Sequence, residues 1–493
     1  MARTHNGDFA YDNTGDVLVE FFSKAGSLMT GKKRRAYYGD ETTALELFKS
    51  AWVCDNETSM KLAMWLRDCR GGAANRSGFR ECIKWVGERY PEWVKANLHL
   101  IPEVGRWDDL KALMDTPCEV DAIDLWIKAI SEDNHLAAKW TPREKKDKVL
   151  YQKLRKRTGM SPKDFRKKIA ELSRGIVEGL MCQKNWQDIE YSKVSSVAMA
   201  RYNNAFRKHD GVRFDHWKDE VADPDSTEKV NASILFPHDV LRTLYAELSD
   251  RDGGYYGWTS NTRSGRAMYQ DSKLANAQFD ALPNYMEGTN ERIMAITDFS
   301  YSMSVKVSGS VSAMDVSMAL GLYCSDRLGE DNPFYRKFIP FSDTSKLVTW
   351  KDKTFNEAAR GLNDGFCGST NIGAALEQIL EAAQMFGATN EQIPSTLLIV
   401  SDMQFNQGCS DNETSVEIGL KRWEEAGYTR PKVVYWNTAG CDGAPTTMGH
   451  KDVALISGFS PSILTAVLGG EDFSPMAILD KAIEKYEVVD PTK

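Results

Sequence analysis

A chain of 493 residues is long enough for two or three domains, each with its own core. Its 42% hydrophobic and 27% charged residues are ordinary for a soluble globular protein, and no run of eighteen apolar residues marks a transmembrane helix. A net charge of −8 argues against a uniformly basic nucleic-acid binder and leaves the question to how the charge is distributed.

Met1 to Gly15 is polar and lacks the apolar core of a signal peptide. Nine scattered cysteines without a Cys-x-x-Cys pair read as reduced thiols of a cytoplasmic protein, with no zinc ribbon and no membrane partner. From about Asp16 to Leu248 apolar residues recur at helix-face spacing, as in Val17-Leu18, Phe21-Phe22, Leu47-Phe48 and Trp52. Short helices between Gly, Pro and Asp breakers suit stacked helix pairs of the HEAT-like solenoid kind, although no clear period is visible. Gly26 to Lys32 imitates a phosphate loop but continues with Lys33 where Ser or Thr is needed, so it is read as chance. Lys32-Lys33-Arg34-Arg35, followed by Tyr37-Tyr38, is an additional phosphate-site candidate. Arg67-Asp68-Cys69-Arg70-Gly71-Gly72 is a helix end with glycine caps and more arginine than a cap needs.

Charge is uneven. Residues 291–493 sum to −10 and residues 1–290 to +2, while Lys139–Lys168 alone holds 13 basic and 3 acidic residues. Lys139, Arg143, Lys145, Lys146, Lys153, Arg155, Lys156, Arg157, Lys163, Arg166, Lys167 and Lys168 form the candidate RNA-binding set, with Trp140, Tyr151 and Phe165 interleaved for base stacking. A solvated helix face is the alternative.

Asp250 to Leu274, rich in Gly, Tyr, Ser and Asn, reads as a linker or long functional loop. Strands and helices then alternate. Strands are expected at Ile293–Ile296, Tyr335–Phe341, Leu347–Trp350, Thr396–Val400, Lys432–Trp436 and Val453–Ser457. Helices are expected at Val311–Leu328, Phe355–Leu362, Ile372–Phe386, Val416–Ala426 and Met476–Tyr486. This is the pattern of a doubly wound, largely parallel α/β sheet. The domains are accordingly set at 16–285, α-helical, and 290–490, α/β.

The most informative stretch is Asp298-Phe299-Ser300-Tyr301-Ser302, at the carboxyl end of the first strand, where open α/β sheets bind ligands. A carboxylate and two hydroxyls are hard oxygen donors suited to Mg2+. Thr370, in Gly368-Ser369-Thr370-Asn371, and Asp402, after Leu397-Leu398-Ile399-Val400-Ser401, join them from two further loops. The order and spacing of Asp298, Ser300, Ser302, Thr370 and Asp402 resemble the metal-ion-dependent adhesion site (MIDAS) of von Willebrand factor A domains. One departure is Tyr301, where that family usually has Gly.

Arg67 to Gly72 has companions in Ile101 to Leu110, Leu136 to Glu144, and Trp186 to Ser196 with Ala198-Met199. Together they resemble the helical-repeat half of the Ro autoantigen (TROVE) family, and more closely its bacterial and phage Ro-like branch. The resemblance implies a ring of helical repeats closed by an A domain. It also implies a ribonucleoprotein component that holds structured RNA or single-stranded RNA ends, with Mg2+ or Mn2+ as cofactor and a protein partner at the metal site. Ro relatives have a His near the position of Ala170; this chain has none, so RNA contacts carry over only at the basic positions. No catalytic histidine pattern, nucleophile elbow or second acidic cluster accompanies the site, so a non-enzymatic protein is expected. The competing reading is a protein–protein scaffold or virion-associated structural protein without RNA binding.

Overall fold

The computed structural model describes residues 2–28, 42–223, 225–245, 272–308, 311–362, 368–406, 413–441, 443–468 and 472–493. The Lys32–Arg35 cluster with Tyr37-Tyr38, Lys33 of the phosphate-loop imitation, and residues 250–271 of the expected linker lie outside the described residues. Ser272–Leu274, expected as linker, instead opens the helix Ser272–Asp280.

In the helical half, the start of the helix Ala44–Cys54 is set by a capping box between Thr43 and Glu46. Asp55, Asn75, Asn134, Asp147 and Ser161 likewise accept a backbone N–H at the starts of later helices, which explains why short helices recur here. Buried Phe48, Trp52, Trp65 and Phe79 lie in their core. At the end of the helix Asn56–Arg67, Arg67 turns inward and its Nε donates to Asp109 Oδ2 at 2.7 Å. The two motifs read separately from the sequence therefore meet as one buried ion pair. Gly72 is needed there for space: a Cβ would sit 2.1 Å from the Trp65 carbonyl oxygen.

A second core gathers around Tyr191, packed by Phe206, Phe214 and Trp217. Its long helix, Ser196–Val221, is interrupted at Asp210, which has non-helical φ and ψ and accepts hydrogen bonds from Tyr191 and Arg213. The Trp186–Ser196 motif thus forms part of a hydrophobic core.

The α/β half is one six-stranded sheet of β3 (Ile293–Asp298), β6 (Lys337–Phe341), β7 (Val348–Thr349), β8 (Thr396–Ser401), β9 (Lys432–Asn437) and β10 (Val453–Ser457). The order is β10-β9-β8-β3-β6-β7, parallel except for the edge strand β7. β3 and β8 are buried along their whole length, which is why they read as continuous apolar runs. β6 starts two residues later than expected because Arg336 takes a left-handed φ of 50°. Helix Ala313–Asp326 covers β3, β6 and β8.

Two small strand pairs were not evident from the sequence. β4 (Lys306–Ser308) pairs with β5 (Val311–Ser312), so Val311 and Ser312 precede their helix rather than opening it. β1 (Ala2–Arg3) and β2 (Phe9–Ala10) form an antiparallel hairpin. After it, the helix Val17–Lys24 packs on β10. Gly26 approaches that strand so closely that a Cβ would lie 2.7 Å from Ser457 Oγ, so Gly26 serves packing and not a phosphate loop. The helical series starts beside β10 and returns at the helix Pro237–Tyr245, which meets Ala313–Asp326 and whose His238 ring lies 5.7 Å from Phe459, just past β10. No helix among the described residues is long and apolar enough to cross a membrane.

Candidate metal centre

The parallel register aligns Thr297 with Val400, so the ends of β3 and β8 bring Asp298 beside Ser401. Asp298 is fully buried; its Oδ1 accepts the Ser300 N–H at 2.8 Å and its Oδ2 accepts the Ser401 hydroxyl at 2.6 Å. Ser300 and Ser302 bring their hydroxyl oxygens within 2.9 Å of each other. The Tyr301 N–H donates to the Gly368 carbonyl at 3.1 Å, which draws the Thr370 loop against the first. Asn406 locks that loop to the third: its Oδ1 accepts the Thr370 N–H and its N–H donates to the Thr370 carbonyl, each at 2.9 Å. Gln404 N–H donates to Asp402 Oδ1 at 3.0 Å, across Met403 at φ 64°. Asp343 holds the Thr370 loop from outside by accepting from the Ser369 N–H at 2.8 Å.

Burial, reinforced by the facing Asp402 carboxylate, pushes the Asp298 carboxyl well above its usual range. No Lys or Arg among the described residues forms an ion pair with Asp298. Two facing buried carboxylates with hydroxyls around them favour a bound hard cation, so this donor set fits Mg2+. Asp298, Ser300 and Ser302 would hold it, with Thr370 and Asp402 completing the shell. Among the described residues no three His, Cys, Asp or Glu side chains gather as a metal group. Tyr301 is 52% exposed and shares the lining of one cleft with Ser302 and Thr370.

The basic segment runs from the end of the helix His135–Trp140 through a turn onto two consecutive helices, Lys148–Thr158 and Pro162–Leu172. Four of its cations are paired: Lys139 with Glu178, Lys153 with Glu119, Arg157 with Asp124 and Lys168 with Asp133. Arg143, Lys145, Lys146, Lys156, Lys163, Arg166 and Lys167 are exposed and form no ion pair with the described residues. Arg155 is half-buried and donates to the Met160 carbonyl. Expected stacking by Tyr151 and Phe165 is corrected: both are buried, with ring centroids 5.4 Å apart, because they belong to the apolar stripes of their helices. Trp140 is covered by the Arg106 guanidinium at 4.1 Å. This surface is cationic, not aromatic.

Residues 4–153 and 118–287 match a family described as a domain of unknown function, DUF2828. The chain belongs to the DUF2828 family. Residues 292–490 match a second domain of unknown function, DUF7788. An uncharacterized protein of Acanthamoeba polyphaga mimivirus, L728, is 25% identical over a 548-residue alignment covering 99% of this chain and 88% of its own. The crystal structure of the Deinococcus radiodurans RO (RSR) protein aligns with 95% of this chain and 99% of its own, at 12% identity and a TM-score of 0.39.

The DUF2828 match carries all twelve basic candidates, and the DUF7788 match carries all five oxygen donors. Around those donors, sequence reasoning missed Ser401, Gln404, Asn406 and Asp343. Ser401 was detectable as the polar residue closing an apolar strand; the others have no local signal.

Proposed function

We propose that this DUF2828 protein is a non-enzymatic ribonucleoprotein component. Its helical half holds structured or single-stranded RNA through phosphate contacts, and its α/β half carries one divalent cation, Mg2+ or Mn2+, as an adhesion point for a protein partner. The resemblance of its motifs to Ro proteins and of its strand-end oxygens to von Willebrand A sites supports this reading. The observation that carries it is the set of exposed cations Arg143, Lys145, Lys146, Lys156, Lys163, Arg166 and Lys167, which form no ion pair with the described residues. Such charge gains most from neutralising a polyanion. The bound cation would supply Lewis acidity toward a partner's carboxylate, while the buried hydroxyls orient it.

The test is salt-titrated binding of single-stranded RNA to the full chain and to a variant carrying Lys145→Glu, Lys146→Glu, Lys156→Glu and Lys167→Glu. Losing four phosphate contacts should flatten the slope of log K against log salt by about 3 for a single strand. An unchanged slope overturns the RNA reading, and preferential binding of an acidic peptide in its place establishes the scaffold alternative.

A further inference from the structure

The tip of the hairpin β1–β2 sits among the cation loops, which it contacts across 364 to 401 residues of sequence. Asn6 Nδ2 donates to Thr370 Oγ1 at 3.2 Å and to the Gln404 carbonyl at 2.6 Å. The neighbouring His5 N–H donates to Gln404 Oε1 at 2.7 Å. The tip is anchored on both sides. Thr4 Oγ1 donates to the Phe405 carbonyl at 2.6 Å, and the buried Asp8 carboxylate accepts the Ser415 N–H and hydroxyl at 3.1 and 2.9 Å. His5, Asn6, Tyr301, Ser302, Thr370 and Gln404 line one cleft of about 230 Å3. One wall of the cleft over the oxygen donors is therefore this hairpin.

We propose that Asn6 is a positioning residue of the cation site and that the hairpin is part of the site. The inference rests on the cation reading above. A threonine hydroxyl has two lone pairs and one proton. The Asn6 amide engages one lone pair of Thr370 and fixes its direction, leaving the other for a cation. The same amide spans to the backbone of the Asp402 loop, so it sets the spacing between two ligand loops as well as the orientation of one ligand. Outer partners that orient first ligands in this way typically account for ten- to a hundredfold in metal affinity.

Mn2+ titration of the full chain, read by electron paramagnetic resonance of the free ion, tests this together with the melting temperature of the metal-free protein. Asn6 is exposed, so Asn6→Ala should lower metal-free melting only slightly, through the two hydrogen bonds it loses, while weakening Mn2+ binding about ten- to a hundredfold. Thr370→Val removes the hydroxyl that Asn6 serves. In the double variant the Asn6 substitution should cost little more, whereas additive losses would mean that Asn6 acts elsewhere and would overturn the proposal. Equal Mn2+ affinity in wild type and Asn6→Ala overturns it and leaves the cation site standing. Wild type that binds Mn2+ no better than Asp298→Ala overturns both.

Discussion

Ser401 donates its hydroxyl to Asp298 Oδ2 across 2.6 Å, and Ser401 Oγ in turn accepts the Met403 N–H at 3.0 Å. One side chain thus fastens the carboxylate that ends β3 to the turn that carries Asp402. Asp298→Asn removes a buried charge facing a second carboxylate; its amide oxygen can keep the Ser300 N–H, while its NH2 has to donate to Ser401 Oγ instead of accepting from it. The metal-free variant should be at least as stable as the parent at neutral pH. Mg2+ at a hundredfold over its Kd should stabilise the parent by about 2.7 kcal/mol and leave the variant unmoved. Thermal melting with and without Mg2+ checks both statements, and an equal shift in the variant refutes the ligand role.

The cation should compete with a proton. Burial and Asp402 raise the Asp298 carboxyl above its ordinary value of 3.8. In the metal-free protein, the favourable contribution of protonated Asp298 is complete below that ordinary value and lost as pH rises through the raised one. Mg2+ affinity should climb over the same interval, with proton release on binding. Calorimetry in buffers of different ionisation enthalpy measures that release; affinity that is flat between weakly acidic and neutral pH would contradict it.

The Arg67–Asp109 pair is almost wholly buried, and Asp109 also accepts from Arg80 Nε at 2.7 Å and from the Arg106 N–H at 2.9 Å. Removing Asp109 leaves the buried Arg67 guanidinium without its carboxylate, while Arg80 keeps Asp108 at 3.0 Å. Asp109→Ala should lower stability by about 3–5 kcal/mol, measured by urea unfolding followed at the tryptophans. A loss below about 1 kcal/mol would show that water satisfies the arginines.

Asp68 joins the halves: its Oδ2 accepts from Lys485 Nζ and from the Tyr486 hydroxyl, each at 2.9 Å. Burial raises this carboxyl, but Lys485 and hydrogen bonds outweigh burial and hold it below its ordinary value. Its stabilising contribution is therefore complete above pH 3.8 and lost as pH falls through the depressed value. Lys485→Met should move that loss to higher pH and expose the Gly71-Gly72 turn to protease in mild acid. Identical cleavage of parent and variant across that range would argue against the tie.

The strands were legible because burial on both faces leaves an unbroken apolar run, as in Val453–Ser457, which has the same limits in sequence and structure. Asp298, Ser300 and Ser302 were legible because a strand end and a two-residue spacing are local features. Tyr151 and Phe165 could have been assigned to the core from their neighbours. Leu150 and Leu154 flank one, and Ile169 and Leu172 follow the other at helical spacing. Composition alone had suggested stacking rings.

The chain's own order of residues determined where helices start, which strands are buried and which oxygen donors end them, since caps, periodicity and strand-end chemistry act over a few residues. Tertiary structure decided which of those groups meet. Arg157 finds Asp124 33 positions away, and Asn6 reaches Thr370 across 364. No local pattern encodes such contacts, because they follow from how the sheet register and the packing of the hairpin bring distant loops together.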